Sequence, residues 1–213
     1  MLGLCYDKEG NEYLDPTCRI AVLVSGGGTN LQALIDDQRN GNNPHGEIVL
    51  VAGSNPKAFA FERAKRAGIE TYLFKEEKDI LEKLEEMKID LIVLAGFLKI
   101  LSPDFIEEFP DRIINIHPAL LPSFGGKGCY GIHVHEKALE YGVKVSGATI
   151  HFVNAIPDGG KIIAQKAVEV KEGDTPEALQ ERIMEEAEWI LLPEAVRKLS
   201  YEIYDDNLRM LTD

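Results

Sequence analysis

The chain has 213 residues, of which 45% are hydrophobic and 28% are charged, so it carries enough apolar side chains for a folded core and is not disordered. Lysine and arginine total 23 and aspartate and glutamate total 36, which gives a formal net charge of −13. This negative charge argues against nucleic acid and anionic membranes as main partners, because both require a broad positive field.

The pattern of apolar residues predicts a single domain over residues 19–200, since domains average roughly 150 residues and no linker interrupts the pattern. Residues 1–18 carry turn formers without a sustained period and form a predicted polar N-terminal extension, and residues 201–213 form a predicted C-terminal tail. Short runs rich in valine, isoleucine and leucine are typical of strands buried on both faces. The predicted strands cover residues 20–24, 48–52, 71–74, 91–95, 113–116, 145–153 and 162–170.

Amphipathic segments separate these runs and predict helices. The predicted helices cover residues 30–38, 58–67, 76–87, 133–141 and 175–200. Alternating strands and helices imply right-handed crossovers and a parallel sheet that is covered on both faces. We therefore predict an α/β, Rossmann-like fold with a mostly parallel central sheet of about seven strands and helices on both faces.

A glycine-rich turn with the sequence SGGGTN occupies residues 25–30, between the first predicted strand and the first predicted helix. Glycines let the backbone approach a ligand closely, and the free amides at the start of a helix favour an anion such as phosphate. The turn lacks the Gly-Lys-Ser/Thr ending of a Walker loop, and Leu31 stands where a dinucleotide fingerprint needs a third glycine. A phosphate on a ligand smaller than NAD therefore fits best, and a tight turn without a ligand is the alternative.

Asn115 and His117 lie at the end of the fifth predicted strand. In open parallel sheets the ligand crevice lies beyond the carboxyl ends of the strands, so both residues should face the same crevice as the glycine-rich turn. An amide donor and an imidazole on one side of a strand can stabilise a developing oxyanion and transfer a proton. A surface histidine without a catalytic role is the alternative.

Asp158 precedes two glycines, which predicts a sharp turn between the last two strands. If this carboxylate reaches His117, it favours the imidazolium and raises the pKa of that histidine. An ordinary Asp-Gly hairpin turn is the alternative.

Five short blocks of the sequence share their order and approximate spacing with one enzyme family. The blocks are SGGGTNLQ (25–32), LAGFLKILS (94–102), NIHPALLP (115–122), HFV (151–153) and DGG (158–160). Together they resemble the phosphoribosylglycinamide formyltransferases, over about residues 19–199. The resemblance implies a formyltransferase fold and transfer of the formyl group of 10-formyltetrahydrofolate to the amine of glycinamide ribonucleotide in de novo purine biosynthesis.

The resemblance also implies where the acceptor binds. Its phosphate and ribose are expected at the glycine-rich turn and on the last helix, at Gly27, Gly28, Thr29, Asn30 and Glu188. Glu188 is chosen because it lies five residues before Pro193, the interval found in the family, and Glu185 is its neighbour on the same helix. An exposed helical charge is the alternative for Glu188.

For the co-substrate, 10-formyltetrahydrofolate, the resemblance implies a pocket after the fourth predicted strand. The expected contacts are Leu98, Lys99, Ile100 and Leu101, together with Asn115. A second basic contact is expected from the preceding crossover, where Lys75 and Lys78 are both candidates.

Catalysis is implied for Asn115, His117 and Asp158. Asn115 would orient the formyl group and stabilise the oxyanion, protonated His117 would assist electrostatically and in proton transfer, and Asp158 would sustain the charge of His117. This chemistry requires neither a metal nor a covalent enzyme intermediate. His151 is expected in the wall of the site or, alternatively, as an outward-pointing structural residue. Residues 123–131 include four glycines and are expected to form a mobile lid over the folate.

Other functions compete with this interpretation. Cys129, His133 and His135 have a spacing that suggests a zinc site, although a fourth ligand is missing nearby. Methionyl-tRNA formyltransferase and formyltetrahydrofolate hydrolase share the Asn-x-His and Asp core, but the first adds a basic C-terminal domain and the second an N-terminal regulatory domain, and we expect neither here. A phosphate or nucleotide binder without catalysis is the remaining alternative.

The three cysteines, Cys5, Cys18 and Cys129, are too few for a disulfide framework and favour a reducing compartment. No segment has the pattern of a secretory signal, and no apolar run approaches the roughly 20 residues that span a bilayer. We therefore expect a cytoplasmic protein, monomeric or homodimeric, that binds the small molecules glycinamide ribonucleotide and formyl-folate but neither nucleic acid nor a membrane.

Overall fold

A seven-stranded sheet forms the centre of the protein in a computed structural model that describes the backbone of residues 3–6 and 12–212 and the side chains of residues 15–211. The strand order is β5-β4-β3-β6-β7-β8-β9, parallel from β5 to β7 and antiparallel for β8 and β9. The strands are β3 (Cys18–Leu23), β4 (Gly46–Gly53), β5 (Glu70–Leu73), β6 (Leu91–Leu94), β7 (Ile113–His117), β8 (Val145–Phe152) and β9 (Ile162–Glu169). The prediction of a mostly parallel sheet of about seven strands is confirmed.

Helices cover both faces of the sheet, as predicted. They are α1 (Thr29–Arg39), α2 (Ala60–Ala67), α3 (Glu77–Glu86), α4 (Pro103–Glu107), α5 (Ile132–Tyr141), α6 (Pro176–Ile183) and α7 (Trp189–Thr212), with a π-helix at Met184–Glu188 between the last two. Along β3, Ile20 and Val22 pack into the core beneath α1, α2, α5, α6 and α7, and Ala21 and Leu23 pack into the core beneath α3 and α4. The consecutive apolar residues of the central strands are therefore needed on both faces.

Two helical features differ from the sequence prediction. Helix α4 was not predicted, although its start signals are present: the hydroxyl of Ser102 accepts a hydrogen bond from the amide of Phe105 at 3.2 Å, and Pro103 occupies the first turn. Helix α7 continues through residues expected to form a C-terminal tail, because Ile203 is buried and Asn207 donates to the carbonyl of Pro16 at 3.2 Å.

The N-terminal extension contains regular structure in the part that the structure describes. Strands β1 (Gly3–Tyr6) and β2 (Glu12–Asp15) pair antiparallel as a separate two-stranded sheet, with Gly3 opposite Asp15. No helix among the described residues is long and apolar enough to span a membrane.

The order of the strands brings three loops together. From β3 the chain builds outward through β4 to β5, and then returns to add β6 and β7 on the other side of β3. The carboxyl ends of β3 and β6 are therefore neighbours at a topological switch point, which is where open α/β sheets bind ligands. The glycine-rich turn after β3, the segment after β6 and the loop after β7 all begin at this edge.

Gly28, the residue before α1, is expected to be intolerant of a side chain. Its φ is +73°, and a Cβ there would lie 2.7 Å from the Cβ of Ala60. Gly28→Ala should lower the free energy of unfolding by about 1–3 kcal/mol, measured by urea denaturation. Gly27 is the matched control because a Cβ there meets nothing within 4 Å, and Gly27→Ala should change the free energy by less than about 0.5 kcal/mol. Equal losses in the two variants would contradict this account.

Candidate active site

A cavity of about 570 Å³ opens at the carboxyl ends of β3, β6 and β7. Most of the residues selected from the sequence line it: Thr29, Asn30, Leu98, Lys99, Ile100, Leu101, Asn115, His117, His151, Asp158 and Glu188. Gly27 and Gly28 precede Thr29 and are not part of this wall. The geometry therefore brings together residues that are up to 159 positions apart, from Thr29 to Glu188.

His117 is only 4% exposed, and both of its ring nitrogens face acceptors. Nε2 donates to the carbonyl of Phe124 at 2.9 Å, and Nδ1 lies 3.6 Å from Oδ1 of Asp158. Burial lowers the pKa of His117, and the Asp158 carboxylate and the Phe124 carbonyl only partly oppose it. The expected contact with Asp158 is present and acts in the expected direction, but burial, which was not anticipated, outweighs it, and the net pKa of His117 is lowered.

Asp158 reaches the cavity through a strained turn, since its φ is +56°. Its Oδ2 accepts a hydrogen bond from the amide of Gly126 at 2.8 Å. Burial by itself would raise the pKa of Asp158, but the contacts with His151 and His117 and the Gly126 amide outweigh burial, and the pKa is lowered. The site therefore holds Asp158 as a carboxylate.

The tripeptide at residues 124–126 contacts both members of this pair. Its first carbonyl binds His117 and its last amide binds Asp158. Gly125 lies between them, where a Cβ would come within 2.5 Å of Leu121 and 3.3 Å of the Cβ of Asp158. Glycine at this position therefore allows the loop to pack directly on the carboxylate.

Asn115 and His151 form a second polar pair in the cavity wall. Nδ2 of Asn115 lies 3.1 Å from Nε2 of His151, whose Nδ1 lies 2.8 Å from the carbonyl of Phe152. His151 is 2% exposed, and its Nε2 is 3.6 Å from Oδ1 of Asp158. Of the two sequence interpretations of His151, the structure supports the inward-facing one.

A buried hydroxyl anchors the loop that follows His117. Thr149 donates to the carbonyl of Ala119 at 2.7 Å and accepts from the amide of Leu121 at 3.0 Å. Gln165 on β9 donates to the same hydroxyl and to the carbonyl of Leu121. This network was not predicted, because it depends on strand pairing between residues distant in sequence.

Glu188 is 6% exposed and accepts a hydrogen bond from Nδ2 of Asn30 at 2.7 Å. Burial raises the pKa of Glu188, and the bond from Asn30 opposes this only in part. Oδ1 of Asn30 is buried and has no partner among the described residues. The π-helix at Met184–Glu188 turns Glu188 into the cavity wall, whereas Glu185 lies outside it.

Sequence reasoning missed one cation beside the glycine-rich turn. Arg63 on α2 donates from Nε to the carbonyl of Gly27 at 2.8 Å and from Nη1 to Gln32 at 3.0 Å. The amide of Ala60 also bonds the turn, at the carbonyl of Gly26. An amphipathic pattern places Arg63 on a helix, but only the packing of α2 against the turn shows what it contacts.

The segment after β6 forms an apolar wall at the mouth of the cavity. Leu98 and Ile100 are 62% and 73% exposed, although both line the cavity, and Leu101 is buried. The ammonium of Lys99 lies 5.7 Å from the ring centre of Phe74. Lys78 pairs instead with Glu82 on the helix surface, and neither Lys75 nor Lys78 lines the cavity.

The three members of the suggested zinc cluster have separate surroundings. Cys129 contacts the ammonium of Lys137 at 3.3 Å, His133 pairs with Glu136 at 2.7 Å, and His135 is fully buried. Within residues 3–6 and 12–212, no group of three or more His, Cys, Asp or Glu side chains is arranged to hold a metal ion. The loop that carries Cys129 lines the cavity. Its motion as a lid stays a prediction.

Comparison with known proteins assigns these features to one family. A family model described as formyl transferase matches residues 18–196. The chloroplastic phosphoribosylglycinamide formyltransferase of Arabidopsis thaliana is 39% identical over 190 residues, which cover 84% of this chain and 65% of that protein. The trifunctional purine biosynthetic protein adenosine-3 of Homo sapiens is 44% identical over 174 residues, which cover 78% of this chain and 17% of that protein. The chain therefore spans less than two thirds of either relative.

Solved structures match over a larger share of their length. Glycinamide ribonucleotide transformylase 1 from Symbiobacterium toebii has a TM-score of 0.82 at 39% identity and covers 92% of this chain and 94% of that one. Phosphoribosylglycinamide formyltransferase from Anaplasma phagocytophilum has a TM-score of 0.80 at 36% identity, with 87% and 88% covered. Both structures share the fold described above.

His135 should make the protein sensitive to acid. Its ring nitrogens are buried without partners among the described residues, and burial lowers the pKa of His135 to about 4 from 6.5. The unfolded chain therefore binds a proton that the folded chain does not, and stability is lost as the pH falls below 6.5 towards 4. Between pH 7 and pH 5 this amounts to about 2 kcal/mol.

The measurement is urea unfolding at both pH values. His135→Leu should lose about 2 kcal/mol less than the parent protein on acidification. His133→Leu is the control, since His133 is half exposed and close to His135 in sequence, and it should behave like the parent. An unchanged acid sensitivity in His135→Leu would refute the assignment.

Proposed function

Because the chain belongs to the formyl transferase family, we propose that it transfers the formyl group of 10-formyltetrahydrofolate to the amine of glycinamide ribonucleotide, a step of de novo purine biosynthesis. The observation that carries the proposal is the convergence of Asn115, His117 and Asp158 in one cavity that also has a polar end and an apolar mouth. Names of relatives at 39% and 44% identity support the substrate assignment.

The polar end of the cavity, at Thr29, Asn30 and Glu188, suits the acceptor. The glycine-rich turn continues from it outside the wall, and the backbone amides at Gly27, Gly28, Thr29 and Asn30 precede or begin α1, where phosphate binding is favoured, with the positive charge of Arg63 beside them. The unpartnered Oδ1 of Asn30 and the carboxyl of Glu188 can each accept a hydrogen bond from a ribose hydroxyl. These groups would place the amine of the acceptor towards Asn115 and His117.

The apolar mouth suits the co-substrate. Leu98, Ile100 and Leu101 line the cavity and would contact the flat ring system of the folate, and Asn115, which lines the same cavity, would contact the formyl group. Lys99 provides a cation for the carboxylates of the glutamate tail, but as an ammonium it lacks a planar bidentate donor. The loop at residues 126–131 forms the opposite wall and would cover the bound folate.

The reaction is a direct transfer. The amine nitrogen attacks the formyl carbon, the carbonyl oxygen takes up negative charge in a tetrahedral intermediate, and the bond from carbon to N10 of the folate then breaks. The proton lost by the amine is delivered to N10 through water, so that tetrahydrofolate leaves as a neutral amine. Asn115 donates to the oxyanion, and both substrates are held in reacting geometry by the cavity.

His117 becomes positively charged as the reaction proceeds, not in the free site. The lowered pKa of His117 favours a neutral ring in the free site, with its proton on Nε2 held by the Phe124 carbonyl. The developing oxyanion adds negative charge beside that of Asp158, and both favour the imidazolium, so Nδ1 takes up the proton lost by the attacking amine and returns it through water to N10. The stabilisation is therefore greater in the transition state than in the free protein, which is what accelerates a reaction.

The proposal also covers the partners and the compartment of the protein. Two small-molecule substrates suffice, and no residue role above involves a metal or a nucleic acid. We place the protein in the cytoplasm on the basis of its sparse cysteines. The relatives from Arabidopsis thaliana and Vigna unguiculata are named as chloroplastic, so the compartment differs among relatives.

The direct test supplies the purified protein with 10-formyltetrahydrofolate and glycinamide ribonucleotide, and measures formyl-glycinamide ribonucleotide and tetrahydrofolate. Water and methionyl-tRNA serve as competing acceptors. We expect a rate that depends on glycinamide ribonucleotide. Folate release to water alone would identify a hydrolase, transfer to methionyl-tRNA would identify a different formyltransferase, and substrate binding without turnover would indicate a non-catalytic binder.

His117→Ala and Asp158→Asn should each lower kcat by about 10²–10⁴-fold with little change in KM, because both residues act on charge that develops after binding. Asp206→Asn, on the exposed surface of α7, is the control and should retain full activity. Parent-like turnover in either site variant would reject the mechanism.

A further inference from the structure

We propose that His151 is a positioning residue that orients the side-chain amide of Asn115, so that one N–H of that amide points at the oxyanion. The proposal rests on the proposed function and adds a residue to its machinery. The resemblance to the family suggested only that His151 lies in the wall of the site. The reasons for assigning more are the strand register, the hydrogen bonds and the exclusion of water.

Strand register places the two residues face to face. In the antiparallel pair β7–β8, Asn115 is directly opposite His151, and His117 is directly opposite Thr149. Directly opposed side chains on one face of a sheet have Cβ atoms about 4.5–5.5 Å apart. The register of β8 with β9 also shifts between Ile150 and His151, a bulge of the kind that redirects side chains near active sites. The fold itself therefore directs His151 at Asn115.

Hydrogen bonds determine which nitrogen of His151 carries the proton. Nδ1 is 2.8 Å from the carbonyl of Phe152, and a carbonyl can only accept, so Nδ1 bears the hydrogen. In the neutral ring Nε2 is then an acceptor, and the group 3.1 Å away from it is Nδ2 of Asn115. Oδ1 of Asp158 is farther from the same nitrogen, at 3.6 Å, so Asn115 is its nearer partner.

This arrangement determines the orientation of the Asn115 amide. One N–H of Nδ2 is used by His151, which leaves the second N–H for the cavity that Asn115 lines. A flipped amide would set Oδ1 against the lone pair of Nε2, where the two acceptors repel each other. Because His151 is 2% exposed, water cannot readily replace the missing donor. His151 thus selects the orientation in which Asn115 presents a donor to the formyl oxygen.

Two substitutions with side chains of different length test whether His151 orients Asn115 or only fills space. The amide of glutamine reaches the position of Nε2, whereas that of asparagine reaches only the position of Nδ1. His151→Gln should keep an acceptor for Asn115 and lose less than about tenfold in kcat, and His151→Asn should lose about 100-fold with unchanged KM. If His151→Gln is as inactive as His151→Asn while both fold like the parent, the proposal is wrong.

Coupling to Asn115 provides the second test. In an Asn115→Ala background the donor is already gone, so adding His151→Asn should not lower kcat further. If the double variant instead loses the product of the two single fold-losses in kcat, His151 acts independently of Asn115 and the proposal is overturned. Circular dichroism and urea unfolding of each variant identify any loss that arises from misfolding, and His151→Gln remains informative when His151→Asn does not fold.

A spectroscopic measurement tests the same claim without substrates. Nitrogen-15 NMR of histidine-labelled protein at neutral pH should show His151 as the neutral tautomer with its proton on Nδ1, and His151→Gln identifies the signal by its absence. A ring protonated on Nε2, donating to Asp158, would overturn the proposal. This readout does not depend on activity, so a protein that fails to formylate glycinamide ribonucleotide refutes the proposed function while the orientation of Asn115 is still tested.

Discussion

The antiparallel pairing of β7 with β8 determines the geometry of the cavity where the proposed catalytic residues lie. It sets His151 opposite Asn115 and Thr149 opposite His117, and the hairpin that joins β8 to β9 carries Asp158 back over both. Because side chains alternate along a strand, a slip of β8 by one residue would turn His151 and Thr149 away from Asn115 and His117. The parallel strands supply other parts of the cavity wall, but the first antiparallel pair beside them brings the proposed catalytic residues together.

The charge of the chain and the charge of the cavity are separate properties. The net charge is −13, yet the charged residues that line the cavity, apart from histidines, are the two lysines Lys99 and Lys127 and the two acids Asp158 and Glu188. Burial also favours the neutral form of Glu188. The anionic substrates of the proposed reaction would therefore be attracted by local amides and a few cations against an unfavourable general field, which salt would screen.

The sequence predicted a feature correctly when a single short stretch of residues was enough to indicate it. The seven strands follow from their apolar runs, and the motifs at Asn115 and Asp158 place both residues in one cavity. Two features depend on contacts that no short window contains: Arg63 bonds the glycine-rich turn through the packing of α2, and His151 faces Asn115 through the pairing of β8 with β7. The pKa of His117 has a related explanation: the raising effect of Asp158 follows from the motifs, but the burial that outweighs it depends on packing that no motif reveals.

The tripeptide at residues 124–126 connects the loop that lines the cavity to His117 and Asp158, the proposed acid–base pair. If substrate passage displaces this segment, His117 loses the acceptor of its Nε2 proton and Asp158 loses the donor to its Oδ2 in the same movement. An open mouth and a competent proton-transfer pair are then mutually exclusive states. This coupling would activate the formyl group only in the closed site, and the formyl group would so be protected from premature attack by bulk water.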